Sequence, residues 1–346
     1  MNTAYIKILE PCQYSIWDVF VDISPQGEVF CHTWWLDAIT KSKFKILVCF
    51  DNEEIVAGMP LAYDGKNRVN EPPLTRTLGV LFKPQADVSD HKYISNKRRW
   101  LTALLEELPL NNFVQMCMHH NFTDWLPFRW RGFKQTTRYT FIIDYKGVTT
   151  DKLWKNISEG TQRVIKSARK YSLKVEETDD FAMLYHFECL TYKRQGLVFK
   201  APFEDLDLLD KAICKYGKRT ILKATDSSNR IHAMLYFVHN EKSSYLLLSG
   251  SDEKYRKFGG HTLVLWESIK YLSDKTAYFN FGGSDIERIE SHFKRFGGVQ
   301  TPYFHIYNEN LLWEREDIWY HIDQTFFHFI QIWKAFIKKT LKIFTD

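Results

Sequence analysis

Paired cysteines are missing from this sequence. Its six cysteines (Cys12, Cys31, Cys49, Cys117, Cys189 and Cys214) stand singly and mostly inside apolar runs, with no C-x-x-C spacing. This excludes a disulfide scaffold and reads as reduced, buried thiols of a cytoplasmic protein. No run of about 18 uncharged apolar residues occurs, so no segment is expected to cross a bilayer. The stretch Met1-NTAYIKILEPCQYS lacks the basic-then-apolar order and the small-residue cleavage site of a secretory signal. Helical H-E-x-x-H, a Walker loop and a nucleophile elbow are also absent. The neighbouring histidines of Cys117-MHH would face opposite sides of a strand, so no metal is expected. Charge of one sign is scarce as well: 47 basic against 42 acidic residues leave +5, too little to mark a DNA-binding protein.

What is present is a long, aromatic-rich globular sequence. At 346 residues it exceeds the roughly 250 to 300 residues over which one core keeps growing, so two domains are expected. Thr33-WWLDAIT reads as a short helix capped by its threonine, and Phe44-KILVCF with Ile55-VAGMPLAY as a hairpin. A strand near Thr75-RTLGVLF, a helix from Lys92 to about Leu108 and the strand Phe113-VQMCM follow. The second half repeats this order, with Arg219-TILKAT and Ile231-HAMLYFVH as its hairpin. Phe44 to Arg219 and Asp51 to Asp226 are each 175 positions apart, and Phe113 to Ala277 is 164. Two copies of one unit imply duplicated α/β domains, a mixed α+β class, with boundaries drawn at 1–147 and 148–310.

The copies differ at one turn. Arg256-KFGGH follows the strand Tyr245-LLLSG and opens the helix over Thr262 to Leu272, whereas the first copy has Gln85-ADVSDH there, without glycine. Free N–H groups at a helix start favour phosphate, and glycines let the backbone approach it, so a phosphate-bearing cofactor would bind the second half. A tight turn with surface basic residues is the plainer reading.

Arg256-x-x-Gly259-Gly260 resembles the R/Q-x-x-G-x-G/A pyrophosphate motif of GNAT-superfamily acyltransferases, with His261 where that pattern has a small residue. Three further stretches resemble Fem-type double-GNAT proteins: Arg163-VIKSARK, Tyr278-FNFGGSD with Asn280 in place of the usual Asp, and Phe293-KRFGG. The resemblance spans roughly residues 27 to 307. It implies two tandem GNAT-like domains and amide formation between an activated acyl group and an amine. Acyl-CoA, acetyl-CoA first, is then the donor, held at Arg256, Gly259, Gly260 and His261. Phe293 and Lys294 would lie beside the reacting carbonyl, where an ammonium steadies developing negative charge.

Arg163, Lys166 and Lys170 share one side of a helix, either a solvated face or a surface for the phosphates of a nucleotide-linked, lipid-linked or tRNA substrate. Ser284 and Glu287 read as a capping box, and Asp285 beside Gly282 and Gly283 either complements a helix dipole or faces the acceptor amine. Glu188, His232 and His305 are candidate proton acceptors, none distinguished by sequence. Residues 311–346 place Trp319, Ile322, Phe326, Ile330, Trp333 and Ile337 three and four apart with lysines at the end, an amphipathic C-terminal helix. It would pack on the body, or lie on the inner face of the membrane if the acceptor is lipid-linked.

The sequence therefore points to an N-acyltransferase acting on a small-molecule or lipid-linked amine of a cell-envelope or polysaccharide precursor. A peptidoglycan-bridge aminoacyltransferase using aminoacyl-tRNA and a non-catalytic GNAT-like binding protein are the alternatives.

Overall fold

The computed structural model describes residues 4–308 apart from 67, 86–88, 110–112 and 195. The C-terminal amphipathic helix expected over 311–346 lies outside the described residues, as does the middle of the Gln85-ADVSDH turn. In chain order the first half comprises β1 (Tyr5–Ile8), α1 (Tyr14–Ile23), α2 (Thr33–Thr40), β2 (Phe44–Asp51), β3 (Glu54–Ala62), β4 (Leu81–Phe82), α3 (Asp90–Glu106), β5 (Gln115–Cys117), α4 (Leu126–Trp130) and β6 (Lys134–Asp144). The second half adds α5 (Thr150–Asn156), α6 (Glu159–Lys170), β7 (Lys174–Glu177), α7 (Phe181–Arg194), α8 (Phe203–Tyr216), β8 (Lys218–Thr225) and β9 (Ile231–His239). It continues through β10 (Ser243–Ser251), α9 (Gly260–Leu272), β11 (Tyr278–Asn280), α10 (Glu287–Phe293) and β12 (Val299–Tyr307).

The order α2-β2-β3-β4-α3-β5-α4-β6 recurs as α8-β8-β9-β10-α9-β11-α10-β12, so the repeat read from spacing is a repeat of architecture. The two units are not cut apart at residue 147. One sheet runs β1-β2-β3-β4; the other runs β5-β12-β6-β11-β10-β9-β8-β7. The last strands have changed places: β12 pairs with β5 of the first half, β6 pairs with β11 of the second, and the two pair with each other from Lys134 opposite Tyr307 to Ile142 opposite Val299. The pairings β5-β12, β12-β6 and β6-β11 are all antiparallel, so the sheet continues across the expected boundary.

Two further joints hold the halves together. Lys242 donates to the carbonyl oxygens of Val21, Ser24 and Gly27 at 3.0–3.3 Å, capping the C-terminal end of α1. Gly27 is required there, because a Cβ would lie 1.8 Å from the Val21 oxygen. Next to it Glu28 is fully buried and accepts hydrogen bonds from His119 Nε2 (3.2 Å), Ser243 Oγ and Tyr278 OH. Burial would raise its carboxyl, but these donors outweigh it and hold the group below the ordinary carboxylate range. Phe30 and Trp35 of the first half enter the core under α7 and α8, where Phe30 meets Tyr245 edge-on at 4.9 Å.

Several local expectations are corrected. The strand expected near Thr75 shrinks to Leu81–Phe82, because residues 69–80 run along β5 instead: Gln115 N donates to Val69 O and Leu78 N to Cys117 O. Thr33 is the first residue of α2 and not its cap; its N–H and hydroxyl both bond Asp18. Cys12 and Cys214 are exposed, not buried. Among the described residues no helix is long and apolar enough to cross a membrane.

Expression of residues 148–308 alone removes β5 and β6 and leaves both flanks of β12 and one of β11 unpaired. We expect this fragment to be insoluble or to lack a cooperative thermal transition, while the chain 1–308 melts cooperatively; circular dichroism and size-exclusion chromatography check this.

Candidate active site: a parted pair of strands

β10 and β11 run parallel and pair over three residues, Ser243 with Tyr278, Ser244 with Phe279 and Tyr245 with Asn280. β11 ends there; β10 continues to Ser251 with a bulge between Leu246 and Leu248. The sheet thus opens along one edge of β10, and backbone groups that would have met a neighbouring strand need other partners. Arg76, from the first half, donates through Nη2 to the oxygens of Leu246 (3.4 Å) and Leu247 (3.1 Å). Glu188 of α7 accepts the Ser249 N–H at 3.0 Å. Gly282 turns β11 away at φ 81°, and a Cβ there would press on Arg76 Nε and the Leu246 oxygen, both at 3.1 Å. Asn280 supports the turn: its Oδ1 accepts from Gly282 N (2.8 Å) and Thr140 Oγ1 (2.6 Å), a role an aspartate oxygen would fill equally.

Glu188 is only 8% exposed. Burial pushes its carboxyl up to about 7, against the Ser249 N–H and the positive charge of Arg76. A carboxyl balanced between its two forms near neutral pH, at the edge of an opening, is suited to taking a proton. Neither His232 nor His305 has this environment. His232 bonds Asp226 at 3.1 Å and lies against Tyr255 beneath the glycine turn, and His305 sits on β12 opposite Cys117.

Beyond the opening, residues Glu253–Phe258 form a 3-10 turn that ends on Gly259 at φ 76° and passes into α9 with no side-chain cap on its first N–H groups, which have no partner within a helix. Both glycines are demanded by packing: a Cβ on Gly259 would lie 2.7 Å from Val164 of α6, and one on Gly260 2.8 Å from the Cβ of His232. His261 is held neutral, its pKa pushed down to about 3 by burial and then by His292, Arg256 and Arg194. It lies 5.4 Å from the His292 ring, itself lowered to about 4 by burial and Arg295. Arg194, at the end of α7, has a lowered pKa through burial and through repulsion from Arg256 and Arg288, which Glu253 only partly offsets. Cations that converge against their mutual repulsion mark a place for an anion. Arg194 and Arg76 were invisible to sequence reasoning, since each reaches the site from a distant segment.

The remaining candidates divide between two places. Phe293 is buried against Phe281 at 5.2 Å, and Lys294 is exposed on the following 3-10 turn, Lys294–Phe296. That turn is fastened to the entry of α6, where Ser158 N donates to Arg295 O at 2.9 Å. Arg163, Lys166 and Lys170 lie exposed on α6, whose Val164 touches the Gly259 turn. Asp285 faces the other way, 3.6 Å from Arg138 Nε on β6, at the seam between the halves. The capping box does not form: α10 starts at Glu287 after Ile286, and Ser284 Oγ bonds Ile286 N instead. In the first half, residues 69–80 lie where the corresponding opening would be, with Gly79 packed so closely on Met118 that a Cβ would fall 2.3 Å from its sulfur.

No family model matches the chain, and no curated protein matches it by sequence. Solved structures do. FemX superposes with a TM-score of 0.61 at 12% identity, covering 86% of this chain and 96% of that one. The chain has the Fem-like double-GNAT fold. A tandem GNAT protein from the clavulanic acid biosynthesis pathway gives 0.51 at 9% identity over 88% of this chain and 98% of its own. L-PGS from Bacillus licheniformis gives 0.50 at 11% identity, over 88% and 93%. Within this double-GNAT fold the parted strands and the glycine turn both belong to the second unit.

Because the folded pKa of Glu188 (about 7) exceeds its ordinary value of 4.5, the folded chain binds the extra proton between those limits, and stability falls as pH rises through that window. Glu188→Gln is therefore expected to raise stability at pH 8 by roughly 1–3 kcal/mol and to leave it unchanged near pH 4. Thermal denaturation at the two pH values checks this.

Proposed function

We propose that this protein is an N-acyltransferase that moves an acyl group from acyl-CoA to an amine. What supports the reading most is the opening beside β10, which leaves strand-edge carbonyls and an N–H within reach of an extended, amide-containing arm, with an anion-attracting turn at its end. Such an arm would add to the edge of β10 as a strand does and take over the Leu246 and Leu247 carbonyls from Arg76. Its phosphates would meet the N–H groups of α9 and the side chains of Arg256 and Arg194, with Gly259, Gly260 and the neutral His261 forming the surface they approach.

In the reaction the amine nitrogen attacks the thioester carbonyl, a C–N bond forms, and the C–S bond breaks to release CoA thiolate. Glu188 removes the amine proton, and the thiolate is reprotonated from solvent. Lys294 is assigned to steady negative charge on the carbonyl oxygen and Phe293 to hold its turn against the core. Asp285, turned toward Arg138 at the seam, is assigned to the acceptor wall. By the resemblance in its sequence the acceptor is an amine of a cell-envelope or polysaccharide precursor. The exposed basic face of α6 supports a second reading, in which Arg163, Lys166 and Lys170 carry the phosphates of an aminoacyl-tRNA donor. The units are proposed to divide labour, the first as scaffold and acceptor side, the second as donor side.

One neighbour is described in its AcCoA-free state, which makes acetyl-CoA the first probe. At a hundredfold excess over its dissociation constant it should stabilise the protein by about 2.7 kcal/mol. Stabilisation by charged tRNA alone would support the second reading, and by neither a binding protein. With an active donor and acceptor pair, Glu188→Gln should lower kcat by about 10²-fold or more and abolish the rise in rate through pH 7. Lys294→Ala should lower it by about 10²-fold. Full turnover in either variant removes that residue from the mechanism.

A further inference from the structure

Three residues that the proposed acyl transfer does not use come together at the seam. Cys117 on β5 and His305 on β12 are direct partners in the antiparallel register. Glu71 arrives from the segment that runs along β5, where Val69 N donates to Phe113 O and Gln115 N donates to Val69 O. A carboxylate oxygen, the Cys117 sulfur and a ring nitrogen of His305 all lie within 4.8 Å of one another. We propose that Glu71, Cys117 and His305 bind a zinc-class divalent cation at the junction of the two halves.

Four observations carry this. Bond lengths of about 2.3 Å to sulfur and about 2.0–2.2 Å to nitrogen and oxygen put tetrahedral zinc ligands roughly 3.3–3.6 Å apart, so side-chain rotation of about 1 Å closes the set. Glu71 Oε1 is buried and has no hydrogen-bond partner, while the same carboxyl accepts from the Cys117 thiol and N–H, so the carboxyl and the thiol already face each other with an acceptor atom to spare. One sulfur, one nitrogen and one oxygen is a donor set for zinc and its neighbours and not for magnesium or calcium, which take oxygen alone. Charge also closes. Arg138 Nη1 is 3.5 Å from the Cys117 sulfur and its Nε is 3.6 Å from Asp285. With a dication held by one thiolate and one carboxylate, that set is neutral, Arg138 is matched by Asp285, and the guanidinium donates to the bound sulfur as an outer partner. Binding releases the Cys117 proton to solvent, and three protein ligands leave the fourth position open. The ligands come from a first-half loop, a first-half strand and a second-half strand, so the cation would tie the exchange of β12 onto β5.

The test uses the full chain, stripped with a chelator and kept in a non-coordinating reductant, and titrates it with cobalt(II) as a spectroscopic stand-in for zinc. One equivalent should produce a thiolate-to-cobalt charge-transfer band and tetrahedral visible bands, displaced by zinc and indifferent to excess magnesium. Cys117→Ser should abolish the charge-transfer band although the exposed Cys12 and Cys214 remain. Glu71→Gln, which preserves shape, should weaken cobalt binding by at least roughly tenfold, the loss that even an outer contact costs. Absence of the band in the unmodified chain, its persistence in Cys117→Ser, or unchanged affinity in Glu71→Gln each overturns the proposal. None of these readouts requires the protein to be an acyltransferase.

Discussion

The exchange of β6 and β12 is the constraint on which the rest of the structure depends. β12 pairs with β5 of the first unit and β6 with β11 of the second, and their mutual pairing over nine positions joins strands of both repeats within the eight-stranded sheet. The eight-stranded sheet therefore runs from strands of the first half to strands of the second with no break at the expected boundary. β11, three residues long, is fixed on one side by β6 and on the other by the first residues of β10. Because β6 holds β11 in place, β10 can part from it without unravelling the sheet.

That parting costs the strand edge its natural partners, and the way they are replaced has chemical content. A guanidinium from one half and a carboxylate from the other take over the carbonyls and the N–H of β10. Both are polar groups brought into a low-dielectric place, where unmatched charge is expensive. The carboxyl answers by moving its pKa toward neutrality, so its environment is poorly suited to stability and well suited to proton transfer. The glycines that turn the chain away from β11 hold a left-handed backbone that glycine adopts freely and other residues rarely do, so the parting of the strands is fixed at that point by the absence of a Cβ.

Duplication left two openings of which one is filled. In the first unit the chain between β3 and β4 folds back along β5 and occupies the space with its own backbone and Met118. The same segment carries Arg76 across to the second unit and Glu71 to the seam. One irregular loop therefore closes one site, lines another and supplies a side chain to a third cluster, which explains why it does not make the strand its residues favour.

Much of the architecture was legible from residues alone. The hairpins at Phe44 and Arg219 form where their β-rich runs and turns place them, with strands buried on both faces and not alternating, and the glycine turn at Gly259 and Gly260 stands between strand and helix as read. These are local effects, set by backbone propensity and by the exclusion of side chains from tight turns, and local effects are written in contiguous residues. Sequence also named Glu188 without distinguishing it from two histidines. Only the tertiary structure decided that it is the buried, raised carboxyl at the opening, that Arg76 and Arg194 join it, that Glu71, Cys117 and His305 meet, and that the last strands exchange places. The physical reason is the same in each case: burial, charge proximity and strand partnership are properties of pairs far apart in the chain, and nothing in the spacing of either member encodes the other.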